Sequence, residues 1–81
     1  MRNETAIREA EIELGETVKL VLCLKNWEGK VYIDARKWKK AVAGDIFYPS
    51  TLGIMLETKH WLYAIPKIKE FIDNPIATPH E

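Results

Sequence analysis

Residues 25–38 form two strand-like halves around Glu28-Gly29, and this hairpin restricts the possible folds more than any other stretch of the chain. If the tight turn holds only Glu28 and Gly29, antiparallel pairing sets Trp27 against Lys30, Lys25 against Tyr32, Cys23 against Asp34, Val21 against Arg36 and Lys19 against Trp38. Opposed residues point to the same side of a sheet, and their neighbours along each strand point to the other. One face therefore collects lysines, an arginine, two tryptophans and a tyrosine. The other collects Val18, Leu20, Leu22, Leu24, Val31, Ile33 and Ala35, an apolar surface expected to build a core against a helix.

At 81 residues, with 47% hydrophobic and 30% charged content, the chain makes one domain, too small for two cores. A domain of this size buries roughly 60–65% of its unfolded surface, so a second copy covering apolar area is a reasonable expectation. The single Cys23 excludes an internal disulfide and a cysteine-rich metal site, which favours a reducing compartment. No stretch reads as a signal peptide, and the longest apolar run, Leu20 to Leu24, is far short of the roughly 20 residues that cross a bilayer.

The net charge of zero hides a strong asymmetry. Residues 1–16 carry a balance of −3, residues 17–43 carry +5, and residues 44–81 carry −2. The positive block coincides with the aromatic hairpin, and local potential is what steers a polyanion.

Before the hairpin, residues 1–5 read as a flexible end. Ala6 to Leu14 is ambiguous, since its glutamates and alanines favour helix whereas the alternation of Ala10, Ile12 and Leu14 with glutamates favours a half-wet strand; we take it as strand. Gly15-Glu16 reads as a turn, and residues 39–48 as a loop of about ten residues ending at Pro49. Ser50 to Leu56 reads as a fourth strand, with Leu52, Ile54 and Leu56 on one parity and Gly53 on the other, where a backbone or ligand can approach closely. Thr58 is the expected N-cap of a helix whose stripe of Trp61, Leu62, Ile65, Ile68 and Ile72 recurs at spacings of three and four. Pro66 is expected to kink or break it, and residues 74–81 read as a disordered tail. The fold class is α+β: a four-stranded antiparallel sheet followed by a C-terminal helix, in one domain spanning 6–73.

Rings interleaved with cations point to single-stranded nucleic acid. Every base has a π-face, so stacking on a ring contributes about 1–3 kcal/mol per base with little sequence preference, while cations hold the backbone. The candidate binding residues are Lys19, Lys25, Trp27, Lys30, Tyr32, Arg36, Trp38 and, from the loop beyond, Lys39. Asp34, among these cations, is expected to pair with Arg36 or a lysine and fix side-chain direction.

The ordered set of features resembles the positive cofactor four family of transcriptional coactivators and its bacterial and phage relatives. The matching residues, from about Lys19 to Ile72, are a basic residue before an aromatic at the first turn (Lys25, Trp27), the Gly29-Lys30 hairpin, and the run VYIDARKW with Asp34 and Arg36. They continue with a Gly-Ile-x-Leu strand (Gly53, Ile54, Leu56) and a helix bearing Trp61. The resemblance implies a curved four-stranded sheet whose closing helix makes a homodimer, here through Trp61, Ile65, Ile68 and Ile72. It also implies a basic and aromatic surface for single strands, with Lys25, Trp27, Lys30 and Arg36 at the family's binding positions and Lys19 at a further basic one. Departures are the loop after Trp38, which lacks the family's usual glycine and lysine content, Thr51-Leu52 in place of a basic pair, and Pro66 within the helix. The family's regulatory serine-rich, acidic leader is not seen, which favours a compact prokaryotic or phage version.

The expected function is thus sequence-tolerant single-stranded DNA binding in transcription, replication or recombination, in the cytoplasm and associated with the nucleoid. The chain's expected partners are single-stranded DNA, a second copy of itself, and proteins of those processes, with no membrane. The alternative is an interaction module of the same fold whose basic face takes an acidic partner such as a polymerase or nuclease; a third reading is RNA binding. Catalysis finds no support in the sequence. His60 and His80 have no carboxylate or cysteine at metal spacing, Cys23 has no evident base, and no phosphate-cradling glycine loop is present, so no metal, cofactor or enzymatic activity is expected.

Overall fold

A computed structural model describes residues 5–75 of the chain. It contains β1 (Thr5–Glu13), β2 (Val18–Trp27), β3 (Lys30–Lys40), β4 (Phe47–Glu57) and α1 (Thr58–Asp73). The strands form one antiparallel sheet in the order β1-β2-β3-β4, each pairing with its neighbour in sequence. The ambiguous N-terminal stretch is a strand, and Thr5, placed at sequence level in a flexible end, opens it. Residues 1–4 and, from the expected disordered tail, 76–81 lie outside the described residues.

The central hairpin has the register that the two-residue loop dictates. Trp27 pairs with Lys30, Lys25 with Tyr32, Cys23 with Asp34, Val21 with Arg36 and Lys19 with Trp38. Glu28 and Gly29 both adopt positive φ, at 54° and 80°, the combination of a type I′ turn whose twist matches that of the flanking strands. Gly29 takes this conformation freely, whereas Glu28 bears a Cβ penalty of about 1–2 kcal/mol.

Four points correct the sequence reading. The segment expected as a ten-residue loop is largely strand: β3 runs on to Lys40, β4 begins at Phe47, and the connection is only residues 41–46, closed by Ala41 N–H donating to Ile46 O at 2.9 Å. Pro49 did not end the pairing because β4 is an edge strand, where a missing N–H can face outward. In the helix, Thr58 is the first residue, not the cap; Glu57 occupies the cap position in extended geometry and makes no side-chain capping bond. Nor does Pro66 divide it, because a single helix runs through to Asp73. Asn74, assigned to the tail at sequence level, caps that helix by donating its N–H to Glu70 O at 2.9 Å.

The helix meets the sheet at β3 and β4. Its anchor is Trp61, whose indole Nε1–H donates to the Ile33 carbonyl at 2.9 Å. Beyond that point the stripe is bare: Leu62, Ile65, Ile68, Phe71 and Ile72 are all exposed, Leu62 at 71% and Ile72 at 70%. The expectation that the apolar sheet face builds the core is also corrected for a single chain. Leu20, Leu22, Leu24, Ile33 and Ala35 are half-buried and Leu52 and Ile54 exposed, while the most buried side chains, Val21, Cys23 and Asp34, lie on the opposite parity. Long neighbours cover those three positions: Glu9, Lys25, Arg36, Trp38 and Met55 line one groove with them.

The strained turn gives a direct check on the hairpin. Glu28→Asn, which tolerates the left-handed conformation, should raise stability by about 0.5–1 kcal/mol in denaturant unfolding. A loss of stability would contradict the turn assignment.

Candidate nucleic-acid interface

Three successive cross-strand rows make the site. The row at its heart is Glu9 on β1, Cys23 on β2, Asp34 on β3 and Met55 on β4; the next is Glu11, Val21, Arg36 and Gly53; the third is Glu13, Lys19, Trp38 and Pro49. Side chains from these rows enclose a groove of about 470 Å³ whose wall also includes Lys25, Ser50 and Thr51.

Asp34 organises the centre. The residue is 6% exposed, and its carboxylate accepts from Arg36 Nε at 3.3 Å and Arg36 Nη2 at 3.2 Å, one to each oxygen, and lies 3.4 Å from Lys25 Nζ. Such a two-pronged pairing satisfies a charge that would otherwise be costly to bury. Arg36 Nη1 donates to Ser50 O at 2.8 Å, tying β3 to β4 where their register shifts. There Arg36 pairs with Gly53 and Trp38 with Pro49, so Ser50, Thr51 and Leu52 stand against Lys37 alone. An extra stretch of this kind bends a strand and redirects its side chains. The close approach anticipated at Gly53 is made by Arg36 itself: a Cβ placed on Gly53 would stand 2.7 Å from Cζ.

Aromatic rings flank this charged centre at both ends. Trp27 and Tyr32 meet with centroids 5.8 Å apart, tilted by 52°. At the other end Lys19 Nζ lies 5.7 Å from the Trp38 centroid and 4.5 Å from that of Phe47, with Lys40 Nζ 5.6 Å from Phe47. From Tyr32 to Trp38 the strand advances about 20 Å.

The structure brings Lys19, Lys25, Trp27, Lys30, Tyr32, Arg36 and Trp38 onto one face, as parity requires. Lys39 does not join them. It sits within β3, paired with Val18 and Tyr48, on the opposite parity, where it borders a second groove with Leu20, Ala35, Lys37, Leu52 and Ile54. Among the four proposed interface residues of the helix, Trp61 is half-buried and bonded to its own sheet, while Ile65, Ile68 and Ile72 are exposed.

Sequence reasoning missed two things here. Phe47 and Lys40 belong to the face, and only the recognition that the strands continue through residues 39–48 could have placed them. The wet face of β1 is also this same face, so Glu9, Glu11 and Glu13 form an acidic border along its edge. Glu11 holds Lys19 at 3.1 Å, and Asp45 lies 3.7 Å from Lys40.

Burial, followed by the negative charge of Glu9, pushes the Cys23 thiol above its ordinary pKa, against a smaller opposing effect of Lys25. Among the described residues no group of three His, Cys, Asp or Glu side chains is disposed to hold a metal ion. No protein-family model, curated protein or solved structure matches the chain.

A raised thiol pKa gives a pH signature. The folded state favours the neutral thiol, so this contribution to stability is complete below the ordinary thiol pKa and is lost as pH rises through the folded value. Alkylation of Cys23 by iodoacetamide near pH 8 should be about tenfold or more slower in native buffer than in denaturant. Equal rates would mean that the groove does not shield the thiol.

Proposed function

We propose that the chain binds single-stranded DNA with little sequence preference, laying the strand along the face shared by β2, β3 and the start of β4. The observation that carries this reading is the arrangement of that face: two rings at each end, Trp27 with Tyr32 and Trp38 with Phe47, separated by about 20 Å of strand, with cations between and beside them. Trp27 and Tyr32 at one end and Trp38 and Phe47 at the other offer stacking surfaces, while Lys19, Lys25, Lys30 and Lys40 reach for phosphates. The acidic border of β1 confines the strand to the hairpin and β4. These roles are binding roles, with no chemical step, and they agree with the likeness to the positive cofactor four family.

The working unit is a homodimer. The single chain exposes 6681 Å², against about 5,000 Å² for a typical monomer of its mass. Its radius of gyration is 15.6 Å, against about 12 Å for a compact chain of this length. The difference in area exceeds the roughly 800 Å² that each partner gives to a standard interface, and exposed apolar side chains lie on the sheet at Leu52 and Ile54 and along the stripe of α1. Ile65, Ile68 and Ile72, with Leu62 and Phe71, are the interface residues of the helix. No helix among the described residues is long and apolar enough to cross a membrane; a place in the cytoplasm beside nucleic acid follows from the binding role.

Titration of a fluorescent oligo-dT of about 20 nucleotides, alongside its duplex, tests the reading. Single strands should bind more tightly, and with four lysines at phosphates the slope of log K against log salt should be about −3 per protomer. Equal binding of duplex, or no binding of either, would overturn it. Sedimentation should give the mass of two chains, and a strictly monomeric species would overturn the dimer.

A further inference from the structure

The placement of Arg36 distinguishes two uses of an arginine, as a hook for phosphate or as a flat plate for a base. Three atoms of its side chain crowd the space above Gly53: a Cβ built there would be 2.7 Å from Cζ, 2.8 Å from Nε and 2.9 Å from Nη2. Because the central carbon is the nearest of the three, the approach is to the face of the guanidinium; approach along its edge would bring the nitrogens closer than Cζ. The group therefore lies flat on the sheet over a residue with no side chain.

Its edge is already engaged. The fork formed by Nε and Nη2, which a phosphate would take, is closed by the two oxygens of Asp34, and Nη1 is turned to Ser50 O. The buried carboxylate, shared with Lys25, also offsets part of the charge that a phosphate would feel. What stays free is the second planar face, turned away from Gly53 into the groove it shares with Trp38 and Met55, with the side chain 25% exposed. A guanidinium plane stacks on nucleobases much as an aromatic ring does.

We propose that Arg36 is a stacking plate for a base, positioned by Asp34 at its edge and by the absence of a side chain at Gly53. This rests on the single-strand reading and makes the middle of the groove, between the two ring pairs, a further base site. It reassigns Arg36 from the phosphate-holding role that its charge suggests.

The test compares binding of oligo-dT with binding of an abasic oligonucleotide of the same length, for the wild type, Arg36→Lys and Gly53→Ala. Arg36→Lys keeps the charge and removes the plane. Gly53→Ala keeps every charge and only lifts the guanidinium, since the clash falls on the end of a flexible side chain. Each should weaken oligo-dT binding by about fivefold or more, leave the abasic affinity within about twofold, and leave the salt slope unchanged. Because both comparisons use the same folded protein, a general loss of structure would show as equal losses on the two oligonucleotides. Equal losses, unchanged oligo-dT affinity, or an Arg36→Ala slope shallower by about 0.7, the signature of a lost phosphate contact, would each overturn the plate while leaving single-strand binding intact. Failure of the wild type to bind oligo-dT would overturn the underlying reading instead.

Discussion

The buried carboxylate of Asp34 is the constraint around which this sheet is arranged. A charge 6% exposed in the middle of a sheet face is tolerable only if partners reach it, and Arg36 and Lys25 do so. Removing one partner of such a pair typically costs about 3–5 kcal/mol. Satisfying Asp34 fixes the guanidinium of Arg36, which in turn requires the bare backbone of Gly53 and donates to the carbonyl of Ser50 at the register shift. Asp34 and Arg36 line the same groove as Val21 and Cys23, so that one arrangement shapes its centre.

The same economy leaves the opposite side unfinished. A four-stranded sheet whose one helix packs mainly on β3 and β4 leaves Leu52, Ile54 and the outer stripe of α1 uncovered. Trp61 commits the start of the helix to its own chain, and exposed apolar side chains remain on the sheet and along α1 as far as Ile72. The proposed second copy is what would cover them.

Much of this was legible in the residues. The two-residue turn fixed the hairpin register, and period-two alternation then assigned Lys19, Lys25, Tyr32, Arg36 and Trp38 to one face without reference to a structure. What escaped was the product of contacts between strands distant in sequence. Nothing local in Phe47-Tyr48-Pro49 announces a strand; its pairing with β3 makes it one. The alternation of β1 was visible, but which side its glutamates share depends on pairing with β2. Likewise the helix continues through Pro66, whose single lost backbone bond was not enough to end it.

The central claim is that strand binding occurs on the Asp34 face, with Trp61 occupied elsewhere. The chain has three tryptophans, and each indole N–H gives its own resonance. Titration of the ¹⁵N-labelled protein with oligo-dT should move the Trp27 and Trp38 indole signals strongly and leave that of Trp61, held on Ile33, nearly still. Movement confined to Trp61, or spread evenly over all three, would contradict the account.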